Sequence, residues 1–399
     1  MKLFAQQGFG TGEKVTKALE NGYVHGTVIS PKDYGKHQVK ALFEKMSASY
    51  PSAERLFDPQ FYVSLMAFGG NAKLGKLGTG EYEYFKGLQR RALESEEKIR
   101  QELKECLEEQ KSLDVTALIA PNLIIPRSFN SIEGLIAKNF IRNTAEVWRQ
   151  VGDERPVYAT LAIEAEALQD TQELDEFLQD LTIMDDPPDG FYIIVVSPSS
   201  EITPELVDSR TLAGWMLLNH ALMVNQFTVI NGYTDILSPF LVAAGGTAGC
   251  TGWWNNTKVF SLNKFMPSMG GRQPVHRYLS LKLLNSIRFD ELDRIRDYFP
   301  DILNHLETDL LYPHDEGSLP ANKIDEVMQT WQSLSSLPIT SGPEGLKECL
   351  NRVEEARLLY SQIDATPGLQ LPARSNKSHL GGLEYGLTTF LQRAQIHLS

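Results

Sequence analysis

Along the first 255 residues, short runs of β-branched and aromatic residues alternate with longer stretches whose apolar positions recur every three to four residues. The short runs are KLFAQQG (2–8), VHGTVIS (24–30), ERLFDPQ (54–60), VTALIAP (115–121), VYATLAI (157–163), FYIIVVS (191–197), FTVING (227–232) and TAGCTGW (247–253). Helical stretches between them include KHQVKALFEKMSAS, YFKGLQRRALESEEKIRQELKECLEEQ, NSIEGLIAKNFIRNTAEVWRQV, TQELDEFLQDLTIM, TPELVDSRTLAGWMLLNHALMVN and TDILSPFLVAAG. Two carry start signals: Asn130 with Glu133 resembles a capping box, and Thr203 reads as an N-cap before a first-turn Pro204. Eight strands separated by helices over about 250 residues predict an α/β fold, a (β/α)8 TIM-like barrel, in preference to an open doubly wound sheet.

Four of the strand runs end on the same punctuation: Ser30-Pro31, Asp58-Pro59, Ala120-Pro121 and Ser197-Pro198. Proline lacks the N–H that a ladder needs, so these pairs predict where strands stop and the loops of the carboxyl face begin. From about residue 270 the strand pattern gives way to helix-like segments: VHRYLSLKLLNSI, FDELDRIRDYF, NKIDEVMQTWQSL, GLKECLNRVEEARLLYSQI and GGLEYGLTTFLQRAQIHL. Leu283, Leu284 and Ile287 fall at helical spacing among them. The expected organisation is therefore a barrel over 1–269 and an all-helical C-terminal extension over 270–399.

Composition narrows the class. With 42% hydrophobic and 22% charged residues the chain reads as an ordinary globular protein, and no window approaches the ~20 apolar residues of a membrane span. The start, MKLFAQQGFGTGEK, shows no basic region followed by a long apolar stretch, so the expected location is the cytoplasm. Cys106, Cys250 and Cys349 lie far apart, which argues against a disulfide framework and against a cysteine-based zinc site. The histidines share no HExxH or paired spacing, and no motif implies a cofactor. A net charge of −13 disfavours nucleic acid as a partner.

In barrels of this kind chemistry collects just past the strands. Gln6, Gln7, Ser30, Lys32, Asp58, Gln60, Tyr62, Asn122, Arg127, Glu164, Glu166, Ser197, Asn231, Tyr233, Trp253, Trp254 and Asn255 occupy such positions. In RLFDPQFY, alternation places Leu56, Asp58 and Gln60 on one side, so Asp58 points to the mouth if Leu56 fills a barrel layer. The competing reading has Asp58 accepting backbone N–H groups in an Asp-Pro turn. Glu164 closes VYATLAIE, and two carboxylates across a mouth can divide acid and base roles if their surroundings separate their pKa values; a surface salt bridge is the plain alternative.

GGNAKLGKLGTG (69–80) superficially resembles a phosphate-binding loop, but Leu77 follows Lys76 where Ser or Thr would hold magnesium, and no helix opens directly from a strand there. Its five glycines instead predict a mobile excursion, with Lys73 and Lys76 available to close over an anionic substrate. Trp253, Trp254 and Asn255 form a possible stacking wall for a planar ligand, one indole being needed for the core.

FTVINGYTDILSPFLVAAGGTAGCTGWWNNTKVFSLNKF (227–265), with KLFAQQGFGTG and LFDPQFY, resembles a family of uncharacterised bacterial barrel proteins. More distantly the layout is similar to the tRNA-guanine transglycosylases, a resemblance that implies an aspartate attacking a nucleoside's anomeric carbon. The Cys and His zinc ligands of that family are absent here, and the chain is acidic. The family resemblance also implies an association with phage-defence gene clusters.

Two functions follow as expectations. In the first, the protein is an enzyme of glycosyl-transfer or glycosyl-hydrolysis type, with Asp58 as nucleophile or base and Glu164 as its partner. Gln60, Asn122, Arg127, Asn231, Tyr233, Trp254 and Asn255 would then hold a nucleoside-like ligand. In the second, the barrel is a non-catalytic subunit that binds or scaffolds a partner protein through its helical C-terminal part.

Overall fold

The computed structural model describes residues 1–10, 13–199, 208–267, 275–311 and 323–398. The start signal at Thr203 and Pro204 lies outside the described residues. Eight parallel strands are present: Lys2–Gln6, Gly26–Ile29, Glu54–Phe57, Leu118–Ala120 (resumed at Ile124–Ile125), Val157–Glu164, Gly190–Val196, Thr228–Gly232 and Ala248–Thr251. Numbered along the chain, they lie side by side in the order third, second, first, eighth, seventh, sixth, fifth, fourth. The third and fourth strands lack a regular ladder, but Thr116 N donates to Arg55 O at 2.8 Å and Arg55 N to Thr116 Oγ1 at 3.0 Å across the seam. The result is a nearly closed (β/α)8 barrel.

The second, third, fourth and sixth strands end at Ile29, Phe57, Ala120 and Val196, at or one residue ahead of the four proline pairs. The ladder stops where the donor is missing. Helices Glu13–Glu20, Lys36–Ser49, Glu96–Lys111, Ile132–Val151, Thr171–Thr182, Ser209–Val224 and Ser238–Ala243 follow strands one to seven in turn. Ser131 rather than Asn130 caps Ile132–Val151, accepting Gly134 N at 3.0 Å. The helix expected from Tyr84 begins only at Glu96, because Tyr82, Tyr84 and Leu88 are buried in a loop and the Tyr84 hydroxyl is held by Pro59 O at 2.7 Å.

Beyond the eighth strand the structure departs from the helical expectation. VHRYLSLKLLNSI forms an antiparallel hairpin, Arg277–Ser280 with Asn285–Arg288, in which Tyr278 faces Ile287. Leu284 turns with a φ of 47°, which ends any helical path, and the hairpin buries on both faces, Tyr278 and Ile287 in one core cluster and Leu279 in another. Helix Lys323–Ser336 then packs on the first strand and on Glu13–Glu20, the place of an eighth barrel helix. Its Trp331 is fully buried, donates Nε1–H to Thr251 O at 3.0 Å, and meets Trp253 edge-on at 6.2 Å. Helices Pro343–Ala365 and Ser378–Arg393 cover Ser238–Ala243 and Ser209–Val224. At Gly386 a Cβ would come within 2.9 Å of Leu212, so the last helix lies unusually close to its neighbour. None of the described helices is long and apolar enough to cross a membrane.

Candidate functional site at the barrel mouth

The third strand ends at Phe57, and the chain then turns through Asp58-Pro59-Gln60, with Gln60 in the left-handed region at φ 52°. Asp58 Oδ1 accepts Gln60 N at 3.0 Å, while Oδ2 accepts the Tyr62 hydroxyl at 2.9 Å and Ser30 Oγ at 3.4 Å. The carboxyl group thus accepts a backbone N–H in the Asp-Pro turn and also two side-chain hydroxyls, from the end of the second strand and from Tyr62. Asp58 is 0% exposed. Burial pushes its pKa up to about 6, against the pull of these hydrogen bonds and of nearby Lys264.

Further polar groups surround it. Gln6, at the end of the first strand, takes the Tyr192 hydroxyl on Oε1 at 3.3 Å. Tyr233, just past the seventh strand with φ 58°, buries its hydroxyl beside Ser30 and Tyr62 without a well-formed hydrogen bond to either. Lys264 arrives from the segment after the eighth strand. Its ammonium lies 5.5 Å from the Tyr233 ring centroid and 4.0 Å from Asp33 Oδ2, and burial lowers its pKa. Among the described residues, Gln6 Nε2, Gln60 Nε2, Tyr233 Oη and Lys264 Nζ are buried without a hydrogen-bond partner.

The same segment roofs the cluster. Phe260 meets Tyr62 edge-on at 5.4 Å and Tyr233 at 5.0 Å, and its carbonyl accepts Ser197 N at 2.9 Å. Phe265 O accepts Lys73 N at 2.7 Å. The glycine-rich loop 69–80 is therefore tied to the roof at Lys73 and to the second strand's loop by Lys76 N on Lys32 O at 2.9 Å, with Leu77 buried. Lys76 pairs with Glu81 at 3.7 Å on the surface.

The other candidates are distributed more widely. Glu164 ends the fifth strand on the lumen face, in step with Ala162. It is half-buried, and its pKa is raised by burial and by Glu166, against Arg127. Arg127 is exposed and pairs with Glu166 at 2.9 Å. The Asn122 amide is occupied by backbone, donating to Thr160 O at 2.8 Å and Ala137 O at 3.3 Å while accepting Leu123 N. Asn231 points outward to helix Ser209–Val224, exchanging hydrogen bonds with Asn219 at 2.7 and 3.1 Å and accepting Trp215 Nε1 at 2.8 Å. Trp253 is core, and Trp254 covers Gly8; both indoles donate to Phe9 O, at 3.2 and 3.1 Å. Asn255 is exposed at the start of a short helix. The structure gathers Asp58, Gln60 and Tyr233 in one cluster and leaves Asn122, Arg127, Asn231, Trp254 and Asn255 outside it.

Beside the cluster, a cavity of about 230 Å³ opens at the ends of the fifth to seventh strands, lined by Ala165, Glu166, Ser197, Trp215, Tyr233 and Val259. Tyr233 is the wall it shares with the Asp58 site. Lys264 and Tyr192 were not legible as site residues. The one sequence signal for Lys264 is its place next to Phe265, in a stretch where Val259, Phe260, Leu262 and Phe265 alternate with polar residues.

Comparison with known proteins gives no matching family model and no matching curated protein. Solved structures similar to this chain include a glycoside hydrolase family 3 β-N-acetylglucosaminidase from Paenibacillus sp. str. FPU-7. It has 12% identity and a TM-score of 0.41, over 95% of this chain and 65% of that one. A glycosyl hydrolase of family 3 from Mycobacterium smegmatis str. MC2 155 has 11% identity and a TM-score of 0.39, over 83% of this chain and 94% of that one. The chain thus spans under two thirds of the Paenibacillus enzyme. These findings correct the resemblances read in the sequence: no family model or curated protein matches, and both of these similar structures are glycoside hydrolases of family 3, not tRNA-guanine transglycosylases.

Proposed function

We propose that the protein is a barrel enzyme of glycosyl-hydrolysis or glycosyl-transfer type, acting through Asp58. The observation that supports this is a carboxyl group buried at the carboxyl face with its pKa pushed up to about 6, where it can both give and take a proton near neutral pH. Asp58 would protonate the leaving atom of a glycoside and Glu164, on the same lumen face, would stabilise or activate the incoming group. The ligand class is a glycoside, nucleosides included, whose ring would lie against the Tyr233 and Phe260 faces. Entry requires the segment 259–266 to swing aside. That breaks the Ser197 N–Phe260 O and Lys73 N–Phe265 O hydrogen bonds, each worth about 1 kcal/mol net, and exposes the buried Phe260 and Phe265 rings at about 1.5–3 kcal/mol each, so ligand binding must supply the cost of opening.

One observation favours the second reading, a non-catalytic subunit: Asp58 is fully closed off beneath Phe260 and Lys264. Incubating the wild type and Asp58→Asn with a panel of aryl glycosides and nucleosides separates the two. Release of aglycone or base by the wild type, lowered roughly 10²–10⁴-fold in the variant, supports the enzyme. A panel with no turnover by a folded wild type removes it.

A further inference from the structure

The closed mouth is rich in donors and short of acceptors. Lys264 Nζ, Gln6 Nε2, Gln60 Nε2 and the Tyr233 hydroxyl are buried without partners among the described residues. The amide oxygens of the two glutamines are already taken, Gln6 Oε1 by the Tyr192 hydroxyl and Gln60 Oε1 by Lys32 N at 3.1 Å. Asp58, the central acceptor, already receives Gln60 N, Tyr62 and Ser30. What the cluster lacks is an acceptor, and buried donors are ordinarily satisfied.

The charge census sharpens this. Among the described residues, Asp33 supplies the one carboxylate within 4.0 Å of Lys264, and it is shared with Lys32, whose ammonium lies 3.9 Å from its other oxygen. Lys32 stands by the roof, 5.9 Å from the Phe265 ring centroid. Two ammonium groups thus flank a single carboxylate, one of them with a side chain only 1% exposed. While Asp58 holds its proton, Asp33 alone balances the two ammonium groups, so a hydroxyl would satisfy donors but leave one charge over, whereas an anion does both.

We infer that the ligand of this site carries an anionic group, a carboxylate or a phosphate, received by Lys264 beside Asp58. This rests on the Asp58 cluster being a ligand site and names the substrate class within it: uronides or sugar phosphates in preference to neutral glycosides. Gln6, Gln60 and Tyr233 carry further buried donors without partners in the same cluster, and Lys32 draws the anion toward the roof.

Binding is the readout, so turnover is not needed. Thermal unfolding and calorimetry of the full chain are followed with glucuronate, glucose 6-phosphate, glucose and inorganic phosphate, at ionic strength matched with chloride. Glucuronate or glucose 6-phosphate should bind at least tenfold more tightly than glucose, and whichever does so identifies the anion as carboxylate or phosphate. Lys264→Met should erase the preference and Lys264→Arg keep part of it. Without ligand, Lys264→Met should melt no lower than the wild type, because it removes a buried charge that lacks an acceptor. Equal binding of glucose and the anions, no binding by any probe, or a preference that survives in Lys264→Met overturns the inference. If Lys264→Met does not fold, the wild-type comparison of charged and neutral probes decides alone. Anion binding without hydrolysis of any glycoside by the wild type would instead remove the proposed reaction and leave this site standing.

Discussion

The Tyr62 hydroxyl donates to Asp58 Oδ2 at 2.9 Å across the left-handed Gln60, so one carboxyl group is both the staple of a turn and the floor of the barrel mouth. On the proposed function, substitutions at Asp58 act on stability and chemistry together, and pH distinguishes the two.

Asp58→Asn should change the pH dependence of stability in a defined direction. The wild-type group has its pKa raised from 3.8 to about 6, so the native state holds a proton that the unfolded chain releases. That contribution is fully present below pH 4 and is lost as pH rises through 6, to the extent of about 3 kcal/mol. The Asn variant lacks this loss, so its melting temperature relative to the wild type should climb between pH 4 and pH 7. A difference that stays flat over that range would contradict the buried, raised carboxyl group.

If Asp58 donates a proton in the reaction, activity should decline above about pH 6. The Tyr62 hydrogen bond favours the carboxylate and so lowers this pKa. Tyr62→Phe should therefore move the alkaline limb to higher pH, and a pH–rate profile of the two proteins checks the sign.

Trp331→Ala should cost about 3–5 kcal/mol. The indole is fully buried against Trp253, and its loss also strands Thr251 O, which accepts its N–H in the eighth strand. Denaturant unfolding should show a lower midpoint. An unchanged midpoint would mean that helix Lys323–Ser336 is not an integral wall of the barrel.

Asn231→Ala should destabilise by roughly 1–3 kcal/mol, because it leaves Trp215 Nε1 and Asn219 Oδ1 buried without partners. Ligand affinity in the folded variant should stay within about twofold of wild type, since hydrogen bonds this far from the ligand add nearly independently. A specific loss of binding would return Asn231 to the site.

The barrel was legible along the chain because its cause is local. Period-two apolar runs bounded by proline pairs make strands, and 3.6-residue apolar periodicity makes the helices between them. The place of Asp58 just past a strand end was legible for the same reason, since the proline after it stops the ladder. VHRYLSLKLLNSI was not, because its apolar positions satisfy both periods, and only the turn at Leu284 and the surface beneath it select the hairpin. Nor was the direction of Asn231: parallel barrel strands are apolar on both faces, so alternation groups Asn231 with Val229 but leaves open which face is the lumen. Helix Ser209–Val224, packed behind Val229, settles it. Lys264 depended on tertiary structure most of all, since what brings its ammonium near Asp58 is the return of the chain over the mouth, and no local pattern encodes a meeting of residues so far apart in sequence.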